Sequence, residues 1–172
     1  MPSTELRVVD PESGADLGPG EPGELWVRAA DDGGLPADAT AAMIDGDGWL
    51  RTGDLVVIDE EGQVFVVDRL KELIKVNAFR VAPAELEAVL ATHPLVVDAA
   101  VIGRPDAATG EAPVAVVVAR EPLDARDLRA WVAARVAPYK RIRAVRFVAA
   151  IPRTPSGKIL RRVLIEHERQ TV

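Results

Sequence analysis

Cysteine is absent from all 172 residues, which excludes disulfides, thiolate nucleophiles and cysteine-based metal sites at once. Its absence fits a reducing compartment, and a cytoplasmic location is the expectation. Aromatics are scarce at 4%, so any core has to be built from Val, Leu, Ile and Ala. The longest pure apolar run, Val114 to Ala119, is far below membrane length, and the start MPSTELRVVD lacks the apolar segment of a signal peptide. His93 and His167 are the only histidines, and neither has neighbours at ligand spacing, so no metal site is expected. Ser3, Ser13 and Ser156 are the only serines, with no nucleophile-elbow or Ser-His-Asp pattern around them.

Hydrophobic residues make up 48% of the chain and charged residues 28%, the balance of a folded globular protein with room for one ordinary domain or two small ones. The formal net charge is −6 and unevenly placed: from Pro138 onward nine Lys and Arg face Glu166 and Glu168, a formal +7, which leaves −13 before it. An acidic body with few stacking aromatics argues against nucleic-acid binding. A basic C-terminal segment on that body suits a local anionic ligand.

Glu5 to Val9 reads as a strand ended by the turn Asp10-Pro-Glu-Ser-Gly14, and a second strand follows at Glu24 to Arg28. Gly18, Gly20 and Gly23 match G-x-G-x-x-G in spacing, but a strand follows where a dinucleotide loop opens a helix, so the glycines are expected to serve turns. Ala29 to Ala37 is expected as an exposed loop and Asp38 to Ile44 as a short helix. Leu55 to Ile58 and Gln63 to Val67 flank Asp59-Glu-Glu-Gly62, a hairpin signal with Gly62 free to take positive φ. Beyond Asp68 the pattern changes. Pro83 to Thr92 is expected as a helix, Val96 to Ile102 and Val114 to Ala119 as buried strands, and Asp124 as the start of a helix through Leu128, Trp131 and Val132 that stops before Pro138. Val145 to Val148 completes the strands, and Ile159 to Glu168 reads as a terminal helix. The class is α+β, with a mostly β first part and a βαββα-like second part.

Three segments carry chemistry. Trp49-Leu-Arg-Thr-Gly-Asp54 sets a carboxylate on a tight turn before a strand; it either opens the hairpin as an Asx turn or accepts two hydrogen bonds at once, as a ribose diol offers. Val67-Asp-Arg-Leu-Lys-Glu-Leu-Ile-Lys75 has cations at 69, 71 and 75; a helix puts Lys71 and Lys75 on one face, a strand puts 69, 71, 73 and 75 together, and both are compatible with a plain solvated face. Arg153-Thr-Pro-Ser-Gly-Lys158 presents a lysine on a loop just before a helix, either an exposed loop residue or a mobile point charge for a phosphate or carboxylate. It is no Walker A loop, since the upstream glycine spacing is missing and Ile159 stands where Ser or Thr is required.

In the order WLRTGD, VDRLKELIK…VAPAELEAVL, PRTPSGKILRR, these segments resemble the C-terminal motifs of adenylate-forming enzymes: acyl- and aryl-CoA ligases, luciferases and peptide-synthetase adenylation domains. The run from Val67 to Leu90 looks most like the coumarate–CoA ligase and luciferase branch, and the resemblance covers nearly everything from Glu5 onward. It implies a β-rich remnant of the large-domain barrel over 1–67 and a small mobile α+β lid over 69–172, with Asp68 as hinge. It implies that Asp54 and Arg69 hold the ribose of ATP and of the acyl-adenylate, and that Lys158 serves adenylate formation. Lys75 would replace it for thioester formation, with Asn77, Ala78, Phe79 and Arg80 along the CoA channel. The implied reaction joins a carboxylic acid to CoA with ATP and Mg2+ as cosubstrates. The Ser/Thr/Gly-rich ATP loop and the acid pocket belong to an N-terminal adenylation domain that this sequence does not contain, so the chain alone is expected to be inactive; the alternative is a non-catalytic nucleotide- or CoA-binding module. The sequence departs from the family pattern at Ala78, where glycine is usual, at Arg80, where Gln or Glu is common, and in the shortness of the Ala29–Ala37 stretch.

Overall fold

The structure, a computed structural model, describes residues 4–29 and 44–171. The expected loop at Ala29–Ala37 and helix at Asp38–Ile44 therefore lie outside the described residues, apart from Ala29 and Ile44. The chain divides into two compact units, Met1–Lys71 and Glu72–Val172.

The first unit is a four-stranded antiparallel sheet in the order β1-β2-β3-β4, made of Thr4–Val9, Gly23–Ala29, Leu50–Ile58 and Val64–Arg69. The Asp10 carboxylate caps the first turn, accepting from the Ser13 amide at 2.7 Å. The β3–β4 hairpin turns through residues 59–63 with Gly62 at φ +79°, as its sequence predicts. Of the three spaced glycines, Gly20 serves a turn at φ +83°. Gly23 does something else: a Cβ there would stand 2.8 Å from the Val9 carbonyl oxygen and 2.7 Å from Val8 Cγ1, so β1 and β2 close only on glycine.

The Trp49–Asp54 segment also departs from expectation. Asp54 lies inside β3 rather than on a turn before it. Glu24 of β2 opposes Leu55 and Trp26 opposes Arg51, so Thr52, Gly53 and Asp54 together face the single residue Leu25. The result is a bulge within one continuous strand.

The second unit holds a five-stranded sheet in the order β6-β5-β8-β7, with β9 parallel to β8. These strands are β5 Ile74–Val76, β6 Phe79–Val81, β7 Val96–Asp106, β8 Gly110–Ala119 and β9 Ala144–Phe147. The helices are α1 Pro83–Ala91, α2 Ala125–Ala133 and α3 Arg161–Thr171. Pro83 at the first turn and Asp124, whose carboxylate accepts from the Arg126 amide, start α1 and α2 where the sequence predicts. The last helix begins two residues later than predicted, because Ile159 forms a β-bridge with Arg153.

Val101, Ala115 and Val117 point to a core shared with Leu86, Leu90, Leu128 and Val132 of α1 and α2. Their neighbours Ala100, Ile102, Val114 and Val116 cluster instead with Leu164 of α3 and with Ile151, which precedes that helix. Helices thus cover both faces of the β7–β8 hairpin, which is why its strands read as unbroken apolar runs without alternation. Burying a Val, Leu or Ile side chain is worth about 1.5–3 kcal/mol, so these two layers hold the unit together. Strands β5 and β6 were not legible as a pair, since each has only three residues and Lys75, Phe79 and Arg80 remain exposed.

Candidate functional site

The bulge in β3 exists to be explained, since it sacrifices ladder hydrogen bonds between β2 and β3. Gly53 takes φ +70°, a backbone state that disfavours side chains, and so lets the strand swing outward at Asp54. Thr52 secures it from one side: its hydroxyl donates to the Leu25 carbonyl at 2.8 Å and accepts from the Asp54 amide at 3.1 Å. Glu24, 3% exposed, secures it from beneath by accepting from the Gly53 amide at 3.2 Å. Asp54 is thereby set directly opposite Arg69 of β4, and Arg69 Nε stands 2.7 Å from Asp54 Oδ1. Two residues from separate segments of the sequence are thus one pair in space. Asp68 precedes Arg69 on β4, is buried, and accepts from the Arg69 amide at 2.7 Å.

Lys158 belongs to the second unit. Arg153 and Ile159 bridge the ends of its loop, the Thr154 amide donates to the Lys158 carbonyl at 2.8 Å, and the Arg153 guanidinium reaches the Gly157 carbonyl and Asp98, each at 2.8 Å. The loop is therefore braced while its lysine side chain stays 54% exposed. Lys158 Nζ lies 4.0 Å from Glu72 Oε1, at the edge of ion-pair range. Glu72 is engaged more closely by Arg161 at 2.9 Å, and Arg161 also holds Glu87 at 2.7 Å. A firmly paired arginine beside a loosely paired lysine leaves the lysine available for another anion.

Lys75 sits in β5, neither in a helix nor on a strand that includes Lys71, because a 3-10 turn at Leu70–Glu72 intervenes. Its amide donates to Glu111 Oε2 at 2.7 Å, and it lies opposite Arg80 across the β5–β6 hairpin. Asn77 and Ala78 form the turn of that hairpin rather than strand, with Asn77 at φ +53°. Asn tolerates this left-handed state through its short polar side chain. Ala78 lies outside it, so the alanine carries no strain of that kind. Phe79 stacks on Tyr139 with ring centroids 4.2 Å apart.

The structure therefore unites Asp54 with Arg69 and places Lys158 and Lys75 on separate elements. It also brings in Glu24, Thr52 and Arg161, to which the sequence assigns no role, and pairs Glu72 with Arg161. Arg161 was within reach, three residues beyond Lys158 in the same motif; Glu24 gave no local signal at all.

Residues 85–158 match the family described as the AMP-binding enzyme C-terminal domain. With the α+β unit described above, that match assigns the chain to the C-terminal portion of the adenylate-forming enzymes. Its relatives within the class are 4-coumarate–CoA ligase-like proteins, and the chain spans about 30% of their length. It is 53% identical to Peroxisomal OPC-8:0-CoA ligase 1 of Arabidopsis thaliana, over 95% of this chain and 31% of that protein. It is 52% identical to the Probable CoA ligase CCL5 of Humulus lupulus, over 96% of this chain and 31% of that one. Among solved structures, ATP-bound MatB from Rhodopseudomonas palustris matches with a TM-score of 0.87 at 34% identity, covering 99% of this chain and 35% of MatB. Among the described residues no helix is long and apolar enough to cross a membrane.

Proposed function

We propose that this chain is the C-terminal part of an ATP-dependent carboxylic acid–CoA ligase, serving acid + ATP + CoA to acyl-CoA + AMP + pyrophosphate through an acyl-adenylate. The observation that carries the reading is the Asp54–Arg69 pair, a carboxylate and a guanidinium set 2.7 Å apart on a glycine bulge. In this reading Asp54 accepts the two ribose hydroxyls of ATP, which arrives with Mg2+, while Arg69 holds the carboxylate in place and supports the same sugar. Lys158 stabilises charge at the acid carboxylate and α-phosphate as the adenylate forms. The large domain with the ATP loop and acid pocket completes the enzyme, so the chain by itself does not turn over.

After adenylation the lid, residues 69–172 with Asp68 as hinge, turns, and the β5–β6 hairpin takes over. Lys75 then serves thioester formation, with Asn77, Ala78, Phe79 and Arg80 along the CoA path. One mobile unit serving two steps is an economical use of a single change in φ and ψ at a hinge. The division of labour is tested by joining the chain to the large domain of a 4-coumarate–CoA ligase-like relative and measuring each half-reaction. Lys158→Ala is expected to slow adenylate formation by about 10²-fold or more, the scale for losing one preorganised charge donor, and to spare thioester formation from supplied acyl-AMP. Lys75→Ala is expected to do the reverse. Equal damage to both steps by both variants sinks the alternating mechanism, and acid-dependent ATP–pyrophosphate exchange by the 172-residue chain alone sinks the partial-enzyme reading.

A further inference from the structure

Glu24 is a buried carboxylate with no place in the chemistry above. It is 3% exposed, and its two oxygens divide three partners between them. Oε2 accepts from the Trp26 indole N–H at 2.9 Å and from Arg51, whose Nη2 is at 2.9 Å and Nε at 3.3 Å. Oε1 accepts from the Gly53 amide at 3.2 Å. Trp26, two residues along β2, and its cross-strand partner Arg51 fix the carboxylate in position. Gly53 is the turning point of the bulge, and its amide lies where the β2–β3 ladder is interrupted. A half-buried amide without a partner carries a desolvation penalty, and Glu24 is the side chain that accepts from it.

We propose that Glu24 is a positioning residue for the nucleotide: anchored by Arg51 and Trp26, its carboxylate holds the Gly53 amide, and so fixes the bulge that presents Asp54. The proposal rests on Asp54 being the ribose ligand. It assigns Glu24 no contact with substrate; Glu24 acts through the backbone, at the residue before the carboxylate it aims. The chemistry needs a carboxylate rather than any polar group. All three surrounding groups are donors, and only a side chain with two acceptor oxygens satisfies them together. In Glu24→Gln the amide nitrogen must face either Gly53 N–H or the Arg51 and Trp26 donors, so one contact is lost at nearly unchanged volume.

The test has two arms. In the 172-residue chain, amide hydrogen exchange is compared between wild type and Glu24→Gln. Exchange at Gly53 and Asp54 is expected to quicken by about tenfold or more, the scale of one lost buried hydrogen bond, while Val8 and Val57 keep their protection. Uniform loss of protection across the sheet, or unchanged exchange at Gly53, overturns the proposal. In the chain joined to the large domain of a relative, Glu24→Gln is expected to raise KM for ATP about tenfold with a smaller change in kcat. Asp54→Asn in the same protein separates the two ideas. If it raises KM for ATP and Glu24→Gln does not, the positioning role is wrong and the ribose reading stands. If Asp54→Asn leaves KM for ATP unchanged, the ribose reading itself falls and the proposal falls with it. Should Glu24→Gln fail to fold, Thr52→Val is the second variant: it frees the other tether of the bulge and is expected to speed exchange at Asp54, and unchanged exchange there overturns the idea that tethers set the bulge.

Discussion

Arg161→Met removes a guanidinium while keeping most of the side chain's bulk. In the native chain this guanidinium is 15% exposed, between Glu72 and Glu87 at 17% and 16%. The substitution leaves two carboxylates in a mostly dry site. Neither is abandoned entirely: Glu87 still accepts from the Val101 amide at 2.8 Å, and Lys158 remains 4.0 Å from Glu72. Breaking a fully buried pair costs about 3–5 kcal/mol, and an exposed one about 0–1 kcal/mol. Partial burial with partners retained places this loss between those limits, at about 2–3 kcal/mol, or roughly a 10 °C fall in the melting temperature of a unit of this size. Urea unfolding followed by circular dichroism measures it, with amide exchange at Ala115 and Val117 reporting the second unit's core. Adding Glu72→Gln and Glu87→Gln is expected to recover half or more of the loss, because neutral amides no longer need the cation. A loss below about 0.5 kcal/mol, or no recovery in the triple variant, refutes the view that Arg161 neutralises a buried acidic pair.

Gly23→Ala is expected to destabilise the first unit by about 1–3 kcal/mol through overpacking, since the Val9 carbonyl cannot move without opening β1; a thermal melt equal to wild type contradicts that. Asn77→Ala is expected to lose about 1 kcal/mol at the left-handed position and Asn77→Gly less, read from urea midpoints. Ala78→Gly is expected to leave the thioester-forming rate of the joined enzyme unchanged, because residue 78 has no positive φ to relieve; a faster second step contradicts it. The Asp106 carboxyl lies below the usual carboxylate range, chiefly because the Thr109 hydroxyl donates to it, then through the Thr109 and Ala108 amides. A folded-state pKa below the unfolded one contributes stability above the ordinary carboxylate value and loses it as pH falls through the depressed value. Asp106→Asn is therefore expected to flatten that part of the acid limb in unfolding midpoints taken from about pH 5 to about pH 2, and an unchanged limb refutes the contribution.

Local chemistry carried much of this molecule in its sequence. Alternation and turn residues marked the β3–β4 hairpin, and Pro83 and Asp124 marked two helix starts, because caps and turns are settled within a few neighbouring residues. The loop before Lys158 was legible for the same reason, but its bracing was not, since Arg153 reaches Asp98 from 55 residues away. Length and apolar content identified β7 and β8 as buried, but which residue faced which helix was decided by the second layer of packing, since both faces of those strands are covered. The segment from Arg69 to Arg80 left helix and strand both open, because β5 and β6 have three residues each and carry too little periodicity to decide between them. Asp54 shows the limit most plainly. Its motif was visible, yet its place on a bulge depends on pairing with β2, on Thr52 reaching Leu25, and on Glu24 reaching Gly53 from 29 residues away. A carboxylate's neighbours along the chain settle whether it can cap a turn; whether it stands beside Arg69 on an outward swing of strand is a matter of register, and register is set only when distant strands meet.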